Sequence, residues 1–548
     1  MRNLANSLLK RTTTIARYIS PNAWWAIPLS VLVVGLTARI VESRVDWLLS
    51  DNYRLMAGVE KPFQEFAKIS VFGLPLELHY WLSYRVFGSS LSGYLVLPLT
   101  ASLATLPVIY FGIKRQWGHT AWGVCFFTMA ILAFNWYSLY LAQYAMFTYG
   151  NGLLVSTALF FLFLYLCSHR LTRKQWTWVA VLFIPAALFT NIYILVPVFM
   201  GAVSVFLVRL CHLHRRYRLN DLRLYLIEIW PLAIFPVMQF ATLFFHPSGH
   251  FSALSYARSV ANTDAFFFSS SQYPHSLWGA VQFVSNNTIT MFSGLLNAPY
   301  TNYFGPRVWL LIVIATLVIL VMLSIRMAQR KLEQGISFVV TFTVLTLLAM
   351  VAGGLLGLYP YGRERQADFL LLPLGLIFAF AASSVLTRIM ASFRGMLTWK
   401  AVPVILALAI LAAGTIRNVN QYRYNTDITD RNWAALHQIK NTNADLVLIS
   451  GSGMFKIQAI YPDLYASGYD MGWGKTGVFR SFDDTVPHEV VEAIESPQGP
   501  RTVLVIWLSK ARLDAYYPSW STLLAAYFDY QGDITGPSIA AAHYTRKE

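Results

Sequence analysis

The chain has 548 residues, of which 56% are hydrophobic, 15% aromatic and only 12% charged, and its mean hydropathy is +0.49. A soluble domain carries about 25% charged residues, so this composition excludes a string of water-soluble globules and makes lipid the solvent for most of the chain. The net charge of +16 lies in short basic clusters between apolar runs, not on one polar face, which argues against nucleic-acid binding and for membrane topology.

Taken in chain order, a basic N-terminus with Arg2, Lys10, Arg11 and Arg17 precedes an apolar run over 24–40. No small-residue cleavage site follows, so the run is read as a retained first span. Apolar segments of spanning length recur over 24–41, 91–113, 121–135, 150–167, 176–190, 193–211, 224–245, 308–325, 336–358, 369–386 and 401–416. That makes about eleven, each near the ~20 residues a bilayer core requires. Alternate connections are basic: after the N-terminus come Lys114 and Arg115, then Arg170, Arg173 and Lys174, then Arg215, Arg216, Arg218 and Arg223, then Arg326, Arg330 and Lys331, and last Arg388, Arg394 and Lys400. The positive-inside rule makes this set cytoplasmic. An odd span count then places the C-terminal region on the outer face of the plasma (inner) membrane.

Three segments are expected outside: 42–90, 246–307 and 417–548. Within the second, 278–296 has helical apolar spacing. The third reads as a small α/β domain, with a helix over 431–440, buried strands over 445–450 and 502–508, and a helix over 511–530 interrupted by Pro518. The predicted fold is therefore an α-helical polytopic membrane protein, with a membrane region 1–416 and a small C-terminal α/β domain 417–548. Cys125, Cys167 and Cys211 show neither a disulfide framework nor zinc spacing.

The first outward loop is dense in ionisable groups: Glu42, Arg44, Asp46, Asp51, Arg54, Glu60, Lys61, Glu65, Lys68, Glu77, His79 and Arg85. Most are expected to be solvated. Its start lies at the membrane surface, where Asp46 or Asp51 can serve as a general base toward a lipid-borne substrate. A second cluster, Tyr359-Pro-Tyr-Gly-Arg363-Glu-Arg365-Gln-Ala-Asp368, places two arginines at the outward end of a span, against the charge bias of that face. The guanidinium fork suits a phosphate, an anionic headgroup or an internal carboxylate. Leu188-Phe-Thr-Asn-Ile-Tyr193 is a polar break between spans. Gly451-Ser-Gly453 is too short for a dinucleotide fingerprint and reads as a turn.

In order along the chain these features resemble the C-type glycosyltransferase (GT-C) superfamily, in particular protein mannosyltransferases of family 39 type and lipid A aminoarabinose transferases. The resemblance rests on Leu49-Ser-Asp51-Asn52-Tyr53, where the family has an acidic pair after its first span. It continues in Gly73-Leu-Pro75-Leu-Glu-Leu-His-Tyr80 followed by Phe87-Gly88, in the basic turn Lys114-Arg-Gln-Trp-Gly118, and in Leu188–Tyr193. Tyr359–Arg365 followed by Phe369-Leu-Leu-Leu-Pro373 resembles a further family pattern, and Trp433 with 445–450 resembles the opening of its soluble domain. Two departures stand out. Asn52 replaces the second acid, and Tyr140-Leu-Ala-Gln-Tyr144 stands where the family has a Gln-Glu-Ala-Arg segment.

The resemblance implies an integral membrane glycosyltransferase. It would move a sugar from a polyprenyl-phosphate donor to a glycan, lipid or protein acceptor at the outer face, with inversion at the anomeric carbon. Asp51 is then the expected catalytic carboxylate, with Asp46 in reserve. Arg363 and Arg365 are expected to bind the donor phosphate, with Arg54, Lys68 and His79 as secondary candidates. No Asp-x-Asp or histidine cluster occupies the first loop, so no metal and no cofactor are expected. Two other readings fit the same features. One is a non-enzymatic flippase for lipid-linked sugars, which would want polar residues at mid-membrane depth. The other is an inactive envelope-assembly subunit, which the two departures favour.

Overall fold

Every apolar run predicted from the sequence carries a helix. The structure, a computed structural model, describes residues 23–43, 59–69, 74–88, 91–143, 147–190, 192–212, 223–226, 228–244, 276–297, 304–329, 332–356, 361, 367–392, 401–450, 468–471 and 486–548. Its helices in the membrane region are α1 (Ala26–Ser43), α2 (Phe63–Ile69), α3 (Leu74–Phe87), α4 (Val96–Trp117), α5 (Trp122–Ala133), α6 (Trp136–Gln143), α7 (Phe147–Leu166) and α8 (Arg173–Leu188). They continue with α9 (Leu195–His212), α10 (Ile234–Phe244), α11 (Leu277–Leu295), α12 (Pro306–Ala328), α13 (Gln334–Leu355), α14 (Leu371–Ser392) and α15 (Ala401–Asn441).

Among the described residues, seven helices are long and apolar enough to cross a membrane, or eight if the bent pair α5 and α6 forms one span. The seven are α1, α4, α9, α12, α13, α14 and α15. The remaining predicted runs lie in α7, α8 and α10, which do not meet that length and apolarity.

Burial separates the bundle centre from its rim. α5 is apolar all round and buries Gly123, Val124, Cys125, Phe126, Thr128, Met129, Ala130, Leu132 and Ala133, as a central helix must. It packs against α1 on one side and α14 on the other. At Gly35 of α1 the backbones meet so closely that a Cβ there would stand 2.6 Å from the Ala133 Cβ. Conversely, α12 exposes Leu311, Val318, Val321 and Met322, an apolar stripe that lipid tolerates and water would not. All three cysteines are free, and Cys125 and Cys167 are buried.

α15 runs 41 residues without a break. Its first part is apolar and its second part polar, so one helix carries the chain from the bundle into the C-terminal sheet. The expected domain boundary at 416/417 falls inside this helix. α15 runs parallel to α1: Asn418 Nδ2 donates to Val34 O (3.3 Å), and one heptad on Asn425 Nδ2 donates to Val41 O (3.2 Å).

Beyond α15 come β1 (Leu446–Ile449), β2 (Gly468–Asp470), α16 (His488–Glu495), β3 (Thr502–Ile506), α17 (Lys510–Tyr516), α18 (Pro518–Tyr527), β4 (Phe528–Gly536) and β5 (Ile539–Arg546). The sheet order is β2-β1-β3-β5-β4. β1 is parallel to β2 and β3, while β5 is antiparallel to β3 and β4. Alternation along the strands builds two cores. Val447, Ile449, Leu504 and Ile506 face Ala435, Leu436 and Ile439 of α15, whereas Leu448, Val503 and Val505 face Val490, Ile494, Leu513, Trp520 and Leu524 of the other helices. The expected strands at 445–450 and 502–508 and the helical break at Pro518 are present. The expected helix over 511–530 ends earlier, at Tyr527, and its last residues open β4.

Candidate functional site

The end of the bundle that joins the sheet is organised by an arginine inside a span. Arg39 of α1 is fully buried. Its Nε donates to Ser102 O (3.1 Å). Nη1 donates to Gly35 O (3.1 Å) and Ala133 O (3.0 Å). Nη2 donates to Leu132 O (3.2 Å) and Ser138 Oγ (2.6 Å). All five guanidinium donors are thus used. The reason is local: α5 ends at Ala133 and α6 leaves it at a bend of 61°, so the last carbonyls of α5 have no partner of their own. A cation at this helix C-terminus also meets the negative end of its dipole.

The bend is fixed from its other side. Asn135 caps α6, its Oδ1 accepting from Ser138 N (2.8 Å). Its Nδ2 donates to Leu295 O and to Asn297 O (3.1 Å), and Trp136 N also donates to Asn297 O (2.8 Å). These bonds dock the C-terminus of α11, the helix expected over 278–296, on the bend. Near the middle of α11, Thr288 Oγ1 shares a hydrogen bond with Tyr361 Oη. Tyr361 is buried and lies against Gly354 of α13, where a Cβ would stand 2.5 Å from its own. Two helices therefore clamp the residue that stands two positions before Arg363.

Just beyond Arg39, the Glu42 carboxylate pairs with Arg417 of α15, and both side chains are largely buried. α1 ends one residue later, so the stretch carrying Asp46, Asp51 and Arg54 springs from this anchored end. Asp46, Asp51, Arg54, Arg363 and Arg365 themselves lie outside the described residues, as does the side chain of Lys68, whose backbone belongs to α2.

α2 and α3 form a tied unit. Trp81 Nε1 donates to Lys61 O (3.1 Å), and Arg85 lies over the Trp81 ring at 5.1 Å. Glu77, His79 and Tyr80 of α3 are buried. Burial pushes the His79 imidazole down to about 3, so it is neutral at physiological pH and presents one donor and one acceptor, not a cation. α3 packs on α7, and so does the short helical turn Asp368–Leu370 that opens α14. Asp368 is buried, and its Oδ2 has no hydrogen-bond partner among the described residues.

The chain is similar in structure to two forms of one solved protein. ArnT from Cupriavidus metallidurans, bound to undecaprenyl phosphate, matches at 13% identity and a TM-score of 0.48, over 94% of this chain and 97% of that one. The apo form of the same protein matches at 11% identity and a TM-score of 0.45, over 96% and 98%. No family model and no curated protein matches the sequence.

The functional reading rests on this chain's own residues. The contacts join the flanks of the two stretches singled out in the sequence: α1 reaches the α5–α6 bend, the bend reaches α11, and α11 reaches Tyr361. Arg39, Asn135, Thr288 and the Glu42–Arg417 pair had not been singled out. Glu42 stood undistinguished among the solvated charges of its loop. For Arg39 a signal existed: one arginine in an apolar run marks a charge with a buried partner. A comparable signal for Asn135 was its position between two apolar segments, where a cap is needed.

Proposed function

We propose that the chain is an integral membrane glycosyltransferase that moves a sugar from a polyprenyl-phosphate donor to an acceptor at the membrane face bearing the C-terminal sheet, which is the outer, periplasmic face. The observation that carries this reading is a relay of separate contacts: Arg39 binds the α5–α6 bend, Asn135 of that bend binds the C-terminus of α11, and Thr288, about two turns earlier on α11, binds Tyr361. It anchors, at one end of the bundle, the element before the acidic stretch and the residue before the arginine pair. A glycosyl transfer from a lipid phosphate needs a base and a phosphate-binding pair at fixed separation, and the described anchors lie at the sequence flanks of the stretches proposed to supply them.

In the step itself the acceptor hydroxyl oxygen bonds to the anomeric carbon while the bond from that carbon to the phosphate oxygen breaks. The hydroxyl proton goes to Asp51, with Asp46 the reserve base. The bonding electrons leave with the polyprenyl phosphate, whose growing negative charge Arg363 and Arg365 stabilise. Arg54 and Lys68 supply further positive charge. Neutral His79 takes part only as a hydrogen-bonding group. No step calls on a metal or a cofactor.

The test is single-turnover transfer from radiolabelled polyprenyl-phosphate sugars by detergent-purified protein, with total membrane extract as acceptor source. Wild type is expected to load label on an acceptor. Asp51→Asn should lower the rate by about 10²-fold or more, and Arg363→Ala or Arg365→Ala by a comparable ~10²-fold. Full activity in Asp51→Asn would sink the assignment of the base. Donor movement across vesicles without consumption would replace the enzyme with a flippase.

A further inference from the structure

Cations and carboxylates are unevenly shared along this chain. Between Glu77 and Asp221 the sequence holds no acidic residue, yet Lys114, Arg115, Arg170, Arg173, Lys174 and Arg209 all fall in that interval. α4, α7, α8 and α9 therefore bring no counter-ion of their own.

These cations gather at the end of the bundle away from the sheet. α1 and α15 run together toward the sheet, and Lys114 Nζ lies 5.3 Å over the ring of Trp25, just before the start of α1. α4 and α7 reach that end side by side. A Cβ on Gly112 would stand 2.7 Å from the Phe161 ring, and one turn further the Arg115 guanidinium lies over Tyr165 at 5.7 Å.

Several of the cations are engaged inside the protein. Arg209 Nε donates to Leu166 O (2.9 Å) and its Nη2 to His169 O (2.9 Å), while Arg170 meets Glu228 at 3.9 Å. Arg115 differs. It is exposed, and among the described residues it has neither a carboxylate within 4.0 Å nor an acceptor for its N–H groups.

The ring beneath Arg115 is held by an ordered turn. His169 is exposed and stacks on Tyr165, with ring centroids 4.4 Å apart and planes at 11°. Cys167 N donates to Phe163 O (3.1 Å), and Ser168 N and His169 N both donate to Tyr165 O (3.2 and 3.0 Å). Ser168 Oγ donates to Gln334 Oε1 of α13 (2.8 Å). With Arg209 on the His169 carbonyl, the turn is tied to α9 and α13 as well as to α7. Charge that only sets topology needs no such fixed orientation. A preorganised set of donors lowers the cost of binding an anion.

Below this cluster the surface turns apolar. Phe111 stands one turn before Arg115 on the same face of α4 and is 61% exposed. Its ring lies about 6 Å deeper along the helix than the guanidinium. An anion that carries a hydrocarbon chain uses both groups, whereas a soluble anion leaves the ring idle. Basic pockets between spans are where anionic lipid headgroups lodge.

We propose that Arg115, Tyr165 and His169 hold the phosphate headgroup of an anionic phospholipid, with Phe111 against its acyl chain. The site lies at the end of the bundle opposite the sheet, and it does not rest on the sugar transfer proposed above.

The test titrates detergent-purified full chain with dioleoylphosphatidylglycerol or dioleoylphosphatidylcholine and counts the first bound lipid by native mass spectrometry. Phosphatidylglycerol is expected to bind about five-fold more tightly or better. Arg115→Gln should remove about five-fold of that affinity. Arg326→Gln, an exposed cation on α12, should leave it unchanged. His169→Gln alters only an exposed ring and should weaken phosphatidylglycerol as well, so it decides the matter if Arg115→Gln does not fold. Equal affinity for the two lipids overturns the site, as does wild-type affinity in Arg115→Gln. An equal loss in Arg326→Gln overturns it in favour of diffuse surface charge. Displacement of the lipid by an equal concentration of glycerol 3-phosphate overturns the lipid as occupant.

Discussion

Arg39 illustrates how a charge is made acceptable inside a span. Its neighbours are carbonyls and a hydroxyl rather than a carboxylate, drawn from α1, α4 and the α5–α6 bend. Lysine would keep the charge but not the planar fork that reaches three elements at once. Arg39→Lys is expected to destabilise the protein by about 3 kcal/mol through carbonyls left buried and unpaired. Heating in detergent followed by size-exclusion chromatography would reveal it, and wild-type heat resistance in the variant would deny the role. The sequence did not single this residue out, because composition sees a charge only as an interruption of an apolar run. The same blindness covers Asn135, whose partners at Leu295 and Asn297 lie some 160 positions away.

Elements differ in how far they can be read from their own residues. α12, α13 and α14 were legible because each is a long apolar run, and lipid asks nothing more of a span. β5 was not: Ile539–Arg546 is rich in alanine, a weak strand former, and becomes a strand through pairing with β3 and β4. The start of β4 was read as helix because aromatic residues continue past α18 with nothing to mark the change. The α2–α3 unit carries a prediction of its own. Burial lowers the His79 value from 6.5 to about 3, so the unfolded chain binds more protons than the folded one between those limits. Stability of this unit is complete above about 6.5 and falls as the pH drops toward about 3. Hydrogen exchange of α3 against pH would follow the loss. His79→Gln should flatten the curve, and an identical pH dependence in that variant would show that another group is responsible.

At the scale of the molecule, the bundle, its polar relay and the sheet are joined through α15. The membrane class and the broad C-terminal fold were legible in composition and pattern. The continuity of α15 was not, since the polar stretch after Ile416 reads as the end of a span. Asn418 and Asn425, one heptad apart, tie the helix to α1 beside the bundle, and Asn432 continues the row to the sheet. Inserting a short Gly-Ser run between Thr426 and Asp427 is expected to lower transfer about ten-fold by loosening the sheet over the bundle. Limited proteolysis should find the sheet itself intact. Unchanged transfer would mean that the sheet need not be held in place.

An unbroken helix of this length is also a lever with its fulcrum at the Glu42–Arg417 pair. A tilt of roughly 10° there would carry Asn432 sideways by about 4 Å and the far end of the helix by about 6 Å. Spans answer a thinner or thicker bilayer by tilting. The sheet is in that sense a pointer whose reading is set by the lipids around α1 and α15, and the thickness of the host membrane becomes one of the variables that position it.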